Sequence, residues 1–287
     1  MAKGSGKIHE SMKLKDGRES HRGQHPTHFA LEKLTDDEMV ALNSCAKQSF
    51  RNQADKDYIA ARAVYRLKCT QQFLWLAEQA LEKYLKAILI YNFVSAKEIN
   101  HNLTEALLRV RSIPDLPFDF PEDVEEYVGY LSHYGTNRYL DRPMTQSMDA
   151  LQMLDRTVWY IRKWCYFIRA LAFKDNEGKH RSFYSSDIKR LIDPCWKKYR
   201  HCYRISGGYL EEVIKGRLPG YDELIWKNFY YGRRAKRKIR VERELRFENP
   251  IQEVIPEAFS ILEQYVKFNK DVARYYKEQA HSRMLEK

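Results

Sequence analysis

The chain has 287 residues, a formal net charge of +11 and a pI near 9.2, which favours anionic partners such as nucleic acid, nucleotides or acidic proteins. Its 20 Tyr, 13 Phe and 5 Trp exclude a disordered chain, and the length allows one large domain or two modest ones. Cys45, Cys69, Cys165, Cys195 and Cys202 are odd in number and widely spread with no CxxC, which argues against a disulfide framework and for a reducing, intracellular setting.

Residues 1–33 carry Gly4, Gly6, Gly17, Gly23 and His9, His21, His25 and His28 without an apolar period. A flexible basic, His-containing tail is expected there, not a signal peptide. Thr35 and Glu38 have capping-box spacing ahead of Met39, Leu42 and Cys45, so a short leading helix should follow and end near Ser49. Asp57-Tyr58-Ile59-Ala60-Ala61-Arg62 opens a second helix that turns near Cys69-Thr70. From Gln71 to Asn92, Phe73, Ala77, Ala80, Tyr84, Ala87 and Tyr91 recur at steps of three and four, the period of a buried helical stripe. Glu78, Glu82 and Lys86 stand four apart on another face; Glu82 and Lys86 read first as a helix-surface pair and second as part of a polar pocket.

His101-Asn102-Leu103 begins a further helix to Val110, and Pro114, Pro117 and Pro121 forbid a helix over Ile113–Pro121. Pro121 suits the first position of the next helix, whose acidic start at Glu122 and Asp123 complements the helix dipole and whose end falls near His133. Gly135, Thr136 and Asn137 then deliver Arg138. From Thr145, the series Met148, Leu151, Leu154, Val158, Ile161, Cys165, Ile168 and Leu171 predicts one long spine helix. Arg162, Lys163 and Arg169 interrupt its apolar part, so it is a buried helix, not a membrane span.

Lys174–His180 is the best candidate for a boundary. This divides the chain into a tail (1–33), a helical bundle (34–175) and a basic, mostly helical C-terminal region (176–287). In the last, Ser206-Gly207-Gly208 and Leu218-Pro219-Gly220 separate helical pieces. Lys236–Phe247 alternates charged and apolar residues and reads as an extended segment or a basic helix, the extended form favoured. Pro256 opens a helix with a seam of Ala258, Ile261, Tyr265, Phe268, Val272 and Tyr275. The expected fold class is all-α.

The order of these pieces resembles the HEPN family (higher eukaryote and prokaryote nucleotide-binding domains). Residues 57–62 match its DYxAAR-like opening. Ala77, Gln79, Ala80, Glu82, Lys83, Leu85, Lys86, Ala87 and Leu89 match its second helix, His101-x-Leu103 the start of its third, and Arg138-Tyr139 its late motif. The resemblance covers roughly residues 50–175. It implies a helical bundle, homodimerisation and RNA or nucleotide binding, in settings such as toxin–antitoxin and phage-defence systems. Family ribonucleases use an Arg followed four to six residues later by His, the guanidinium holding the scissile phosphate and the imidazole moving a proton, without metal. Arg138 stands at the Arg position, but Tyr139 to Gln146 contains no His.

Arg138 and His133, five residues before it, are therefore the catalytic candidates. Arg138, Tyr139, Arg142, His101, Glu82 and Lys86 are the binding candidates. In a purely structural alternative, Arg138 pairs with Glu82 and His101 caps its own helix. Arg274 and His281 also have motif-like spacing and share a helix face. Arg233, Arg234, Lys236 and Arg237 lead a run to Arg246 with eight basic residues against Glu242 and Glu244, next to Phe229, Tyr230 and Tyr231. That run suits phosphate contact; a solvated charged face is its plain alternative. Cys195, His201 and Cys202 lack zinc spacing, so no metal or cofactor is expected. The sequence reads as a cytoplasmic RNA- or nucleotide-binding protein with ribonuclease activity left open, partnered by itself and by an antitoxin or other protein. The alternative is a non-catalytic homodimeric interaction module.

Overall fold

In helix α3 (Thr70–Tyr91) the six stripe residues named above are fully buried, and so are Leu81, Leu85, Ile88 and Leu89. A helix apolar on that many sides must be surrounded. Around it pack α2 (Asn52–Arg66), α4 (Leu103–Arg111), α5 (Glu122–Tyr134) and α6 (Ala150–Arg162). These relations come from a computed structural model, which describes residues 34–97, 99–113, 116, 118, 120–135, 144–147, 149–166, 172–174, 180–182, 205, 207–231, 245–248, 256–268 and 270–285.

Thr35 and Glu38 form the expected capping box at the start of α1 (Asp36–Cys45). The leading helix does not end near Ser49. It passes through a π-helical turn, Ala46–Arg51, straight into α2, because Ala46 and Arg51 are drawn into the core. Pro121 is the residue before α5, one place earlier than expected, and acidic side chains fill that helix's first turn. The all-α class holds, with two short antiparallel pairs added: β1 (Met144–Ser147) with β4 (Leu245–Glu248), and β2 (Ala172–Lys174) with β3 (His180–Ser182). The long spine helix is a correction: residues 144–147 are strand, α6 starts at Ala150, and it tightens into a 3₁₀ turn over Lys163–Tyr166. Pairing with β4 claims the residues that helical period assigned to α6.

Two buried arginines fix α2 against α6. Arg62 Nη1 pairs with Asp155, Tyr58 Oη donates to the same carboxylate at 2.6 Å, and Arg62 Nε donates to the Glu223 carbonyl at 2.8 Å. Arg62 Nη2 donates to the Trp226 carbonyl. Arg162 grips Asp55 through Nε (2.7 Å) and Nη2 (2.9 Å), and Glu211 through Nη1 (2.8 Å) and Nη2 (2.7 Å). Tyr84 Oη donates to Asp55 at 2.6 Å; burial and that carboxylate push the phenol's pKa up, so it stays a donor.

The partners beyond residue 200 arrive on α7 (Tyr209–Gly216) and α8 (Tyr221–Ile225), separated where the glycines predicted. Gly208 must lack a side chain, since a Cβ there would stand 2.8 Å from Arg162 Nη2. Ile205, Leu210, Val213 and Leu224 join the same hydrophobic core as α3, so residues 205–231 complete the bundle instead of forming a separate unit. The predicted C-terminal seam is broken. After a 3₁₀ turn at Pro256–Ala258, α9 (Phe259–Tyr265) and α10 (Lys270–Leu285) make a hairpin in which Phe259 stacks on Tyr276, with Ile261, Tyr265 and Tyr275 exposed.

Removing one partner of a buried pair leaves an uncompensated charge. Asp155→Ala is expected to lower the unfolding free energy in urea by about 3–5 kcal/mol. Glu223→Ala, which loses only the half-exposed pair with Arg66, should lose under about 1 kcal/mol; equal losses would contradict this account. Burial pushes the Glu211 carboxyl up, but Arg162 and the Ile205 N–H outweigh it and hold it below the usual glutamate range. A depressed folded pKa means stability that is complete above that range and lost as pH falls through the folded value. Urea unfolding of Glu211→Gln between about pH 5 and pH 3 should show a shallower loss than the parent chain.

Candidate functional site

One turn apart on α3, Glu78 and Glu82 are both buried; the expected Glu82–Lys86 pair forms, but largely buried instead of on the surface. Gln79 Nε2 donates to Glu78 at 2.7 Å and reaches Glu82 at 3.4 Å, bridging the two carboxylates. Lys86 Nζ donates to Glu82 Oε1, and His101 Nδ1 meets Glu82 Oε2 at 2.8 Å. Burial pushes Glu82 up, yet the Lys86 and His101 hydrogen bonds hold its carboxyl below the usual range. Glu82, Lys86 and His101 thus come together as one hydrogen-bonded group.

His101 does not cap its helix. Asn102 does, its Oδ1 accepting the Glu105 N–H at 3.0 Å, while His101 sits at φ 57. That left-handed conformation is sparsely populated for a residue with a side chain, and here it precedes a ring turned back onto α3. Because Nδ1 is held by Glu82 and the side chain is 52% exposed, Nε2 is the nitrogen left to face a ligand. Glu78, Glu82 and His101 each offer a ligand-type atom within 4.8 Å of the others, a spacing that suits a cation but that the Gln79 bridge and the Glu82–His101 hydrogen bond together also produce.

Helix α5 closes over this group. A Cβ on Gly135 would lie 2.3 Å from Glu78 Cβ, so only glycine lets the chain pass there on its way to Arg138. Along the same helix Tyr127 stacks on Tyr130, Tyr130 meets Tyr134 at a tilt, and the exposed His133 ring stands edge-on to Tyr134 at 4.6 Å. Arg138, Tyr139, Arg142, Arg233, Arg234, Lys236 and Arg237 lie outside the described residues, as do residues 1–33 and Cys195, His201 and Cys202. Tyr230 and Tyr231 correct one expectation: they pack on Trp159, and Tyr231 also meets Tyr58, so these rings serve the core. Arg274 and His281 do share a face, lining a hollow of about 620 Å³ in the α9–α10 hairpin.

Residues 48–165 match the family model described as HEPN domain. This stretch is a HEPN domain. The comparisons with curated proteins and with solved structures each return no match. A HEPN domain points to nucleotide- or RNA-related work, and Glu78, Glu82, His101, His133 and Gly135 all fall inside it. Sequence reading missed Gln79 as the bridge and Gly135 as the close approach; a glycine directly after a helix ahead of a candidate arginine was the available signal. No helix among the described residues is long and apolar enough to cross a membrane.

Gly135→Ala would drive a methyl into the Glu78 stem, which cannot swing away. Thermal or urea unfolding is expected to show a loss of about 1–3 kcal/mol. Gly129→Ala in the same HEPN helix meets nothing within 4 Å and should gain about 0.5–1 kcal/mol. A neutral Gly135→Ala would mean that the contact is not close.

Proposed function

We propose that this protein binds RNA or a nucleotide at the end of the HEPN bundle where α3, α4 and α5 meet. The observation that carries the reading is the Glu82–His101 pair: a buried carboxylate holds Nδ1 of an imidazole whose side chain is half exposed, which leaves Nε2 as the nitrogen for a ligand. Such a ring donates to a phosphate oxygen or exchanges a proton with a ribose hydroxyl. Arg138, three residues past Gly135, and Arg142 supply the phosphate-holding charge. Tyr139 and Tyr134 supply faces for a base, with Lys86 keeping Glu82 neutralised. The basic run beginning at Arg233, Arg234, Lys236 and Arg237 guides the polyanion by long-range attraction.

Ribonuclease activity is the sharper form of this reading, with Arg138 on the scissile phosphate and His133 or His101 replacing the histidine missing after Arg138. The family reading adds a homodimer in a cytoplasmic toxin–antitoxin or phage-defence setting. A second reading, a protein-interaction module, is favoured by the apolar surface of the C-terminal hairpin, where Ile261, Tyr265, Tyr275, Met284 and Leu285 are exposed.

Fluorescence anisotropy with a labelled RNA oligonucleotide and with ATP tests the proposal. Affinity should fall steeply as salt rises. His101→Ala and Arg138→Ala should each weaken binding about tenfold, the loss of one charge-assisted hydrogen bond. Binding that ignores both substitutions ends the proposal, and intact total RNA after incubation with the parent chain ends its ribonuclease form.

A further inference from the structure

Lys86 has a second neighbourhood, away from the phosphate-binding proposal. Where the C-terminal end of α3 leaves the bundle, a hollow of about 490 Å³ opens between α3, the leading helix and the loop after Tyr91. Leu42, Phe50, Ile90 and Val94 form its apolar wall, and all four are only half buried. Its size falls within the range of small-molecule sites, and the combination of an apolar wall with a few polar groups is their usual make-up. The charged groups at its rim are both cations, Lys86 and the exposed Lys97. Lys97 makes no ion pair among the described residues, and its backbone N–H donates to Ser95 Oγ at 3.2 Å.

We infer that this hollow binds a small molecule with a single apolar chain and a carboxylate head, of the fatty-acid class. The chain lies against Leu42, Phe50, Ile90 and Val94. The head is held between Lys97 and Lys86, whose ammonium otherwise serves Glu82. A nucleotide is disfavoured because its base and sugar would leave polar groups against this wall. A neutral apolar molecule fits the wall and gives the Lys97 ammonium nothing to bind, while Lys86 stays with Glu82.

Isothermal titration of the full chain with decanoate, below its micelle-forming concentration, and with decanol tests the assignment. Decanoate is expected to bind and decanol to bind more weakly. Lys97→Glu, an exposed change that leaves the core alone, should weaken decanoate by about fivefold or more, consistent with a surface charge contact. Val94→Trp, which fills the hollow from its half-exposed edge, should abolish decanoate binding while circular dichroism stays that of the parent chain. Decanoate binding that is unchanged in both variants, or no tighter than that of decanol, overturns the inference. Absence of binding also overturns it and leaves the hollow to a protein segment. None of these outcomes depends on RNA or nucleotide affinity.

Discussion

Two guanidinium groups taken out of water determine how this chain assembles. Each such ion costs several kcal/mol to desolvate, and only close, multiple hydrogen bonds offset that. Arg62 distributes its donors among Asp155 on α6 and the carbonyls of Glu223 and Trp226; Arg162 distributes its own between Asp55 on α2 and Glu211 on α7. No pair of these elements can satisfy either arginine without the third. The HEPN match ends at residue 165, yet the interior that it encloses is complete only when residues 205–231 lie in the groove between α2 and α6. Residues 205–231 are therefore part of the folding unit for electrostatic as well as apolar reasons.

The same constraint explains why the family-like pattern was readable before its meaning was. In residues 57–62, Asp57 pairs with Lys83, Tyr58 and Arg62 share Asp155, and Ala61 is fully buried to let α2 approach. Lys83 is itself part of the second-helix pattern. The polar residues that make the sequence recognisable here hold helices together, and chemistry is left to fewer positions.

The elements of the bundle were legible because their apolar period is long and their caps are local: Thr35 with Glu38 and the stripe from Phe73 to Tyr91 need no knowledge of the rest of the chain. What was illegible depends on distant partners. Glu78 and Glu82 obey surface spacing, and only the arrival of α4 and α5 buries them. Arg162 looks like an interruption of an apolar helix until Asp55, a hundred residues earlier in the chain, and Glu211 appear beside it. Tyr230 and Tyr231 adjoin a basic run in sequence, but in space Tyr230 stacks on Trp159 and Tyr231 meets it edge-on. The helical seam of the C-terminal segment failed because Phe259, Phe268 and Tyr276 find one another by folding back, which a linear period cannot express.

Glu82 illustrates how burial turns a common residue pair into a directed one. On an exposed helix face a Glu–Lys pair at this spacing contributes a few tenths of a kcal/mol and leaves the carboxylate hydrated. Here the carboxylate is dry, so its second oxygen must find another partner, and His101 supplies it from a backbone conformation that few residues with a side chain adopt. The ring is thereby fixed in orientation, which under the proposed function reduces the ordering that a phosphate or ribose would have to bring about on binding. Lys86 completes the arrangement. Without its ammonium, Glu82 would keep only the His101 hydrogen bond and the longer Gln79 contact against its buried negative charge, which under the proposed function would oppose an incoming anion.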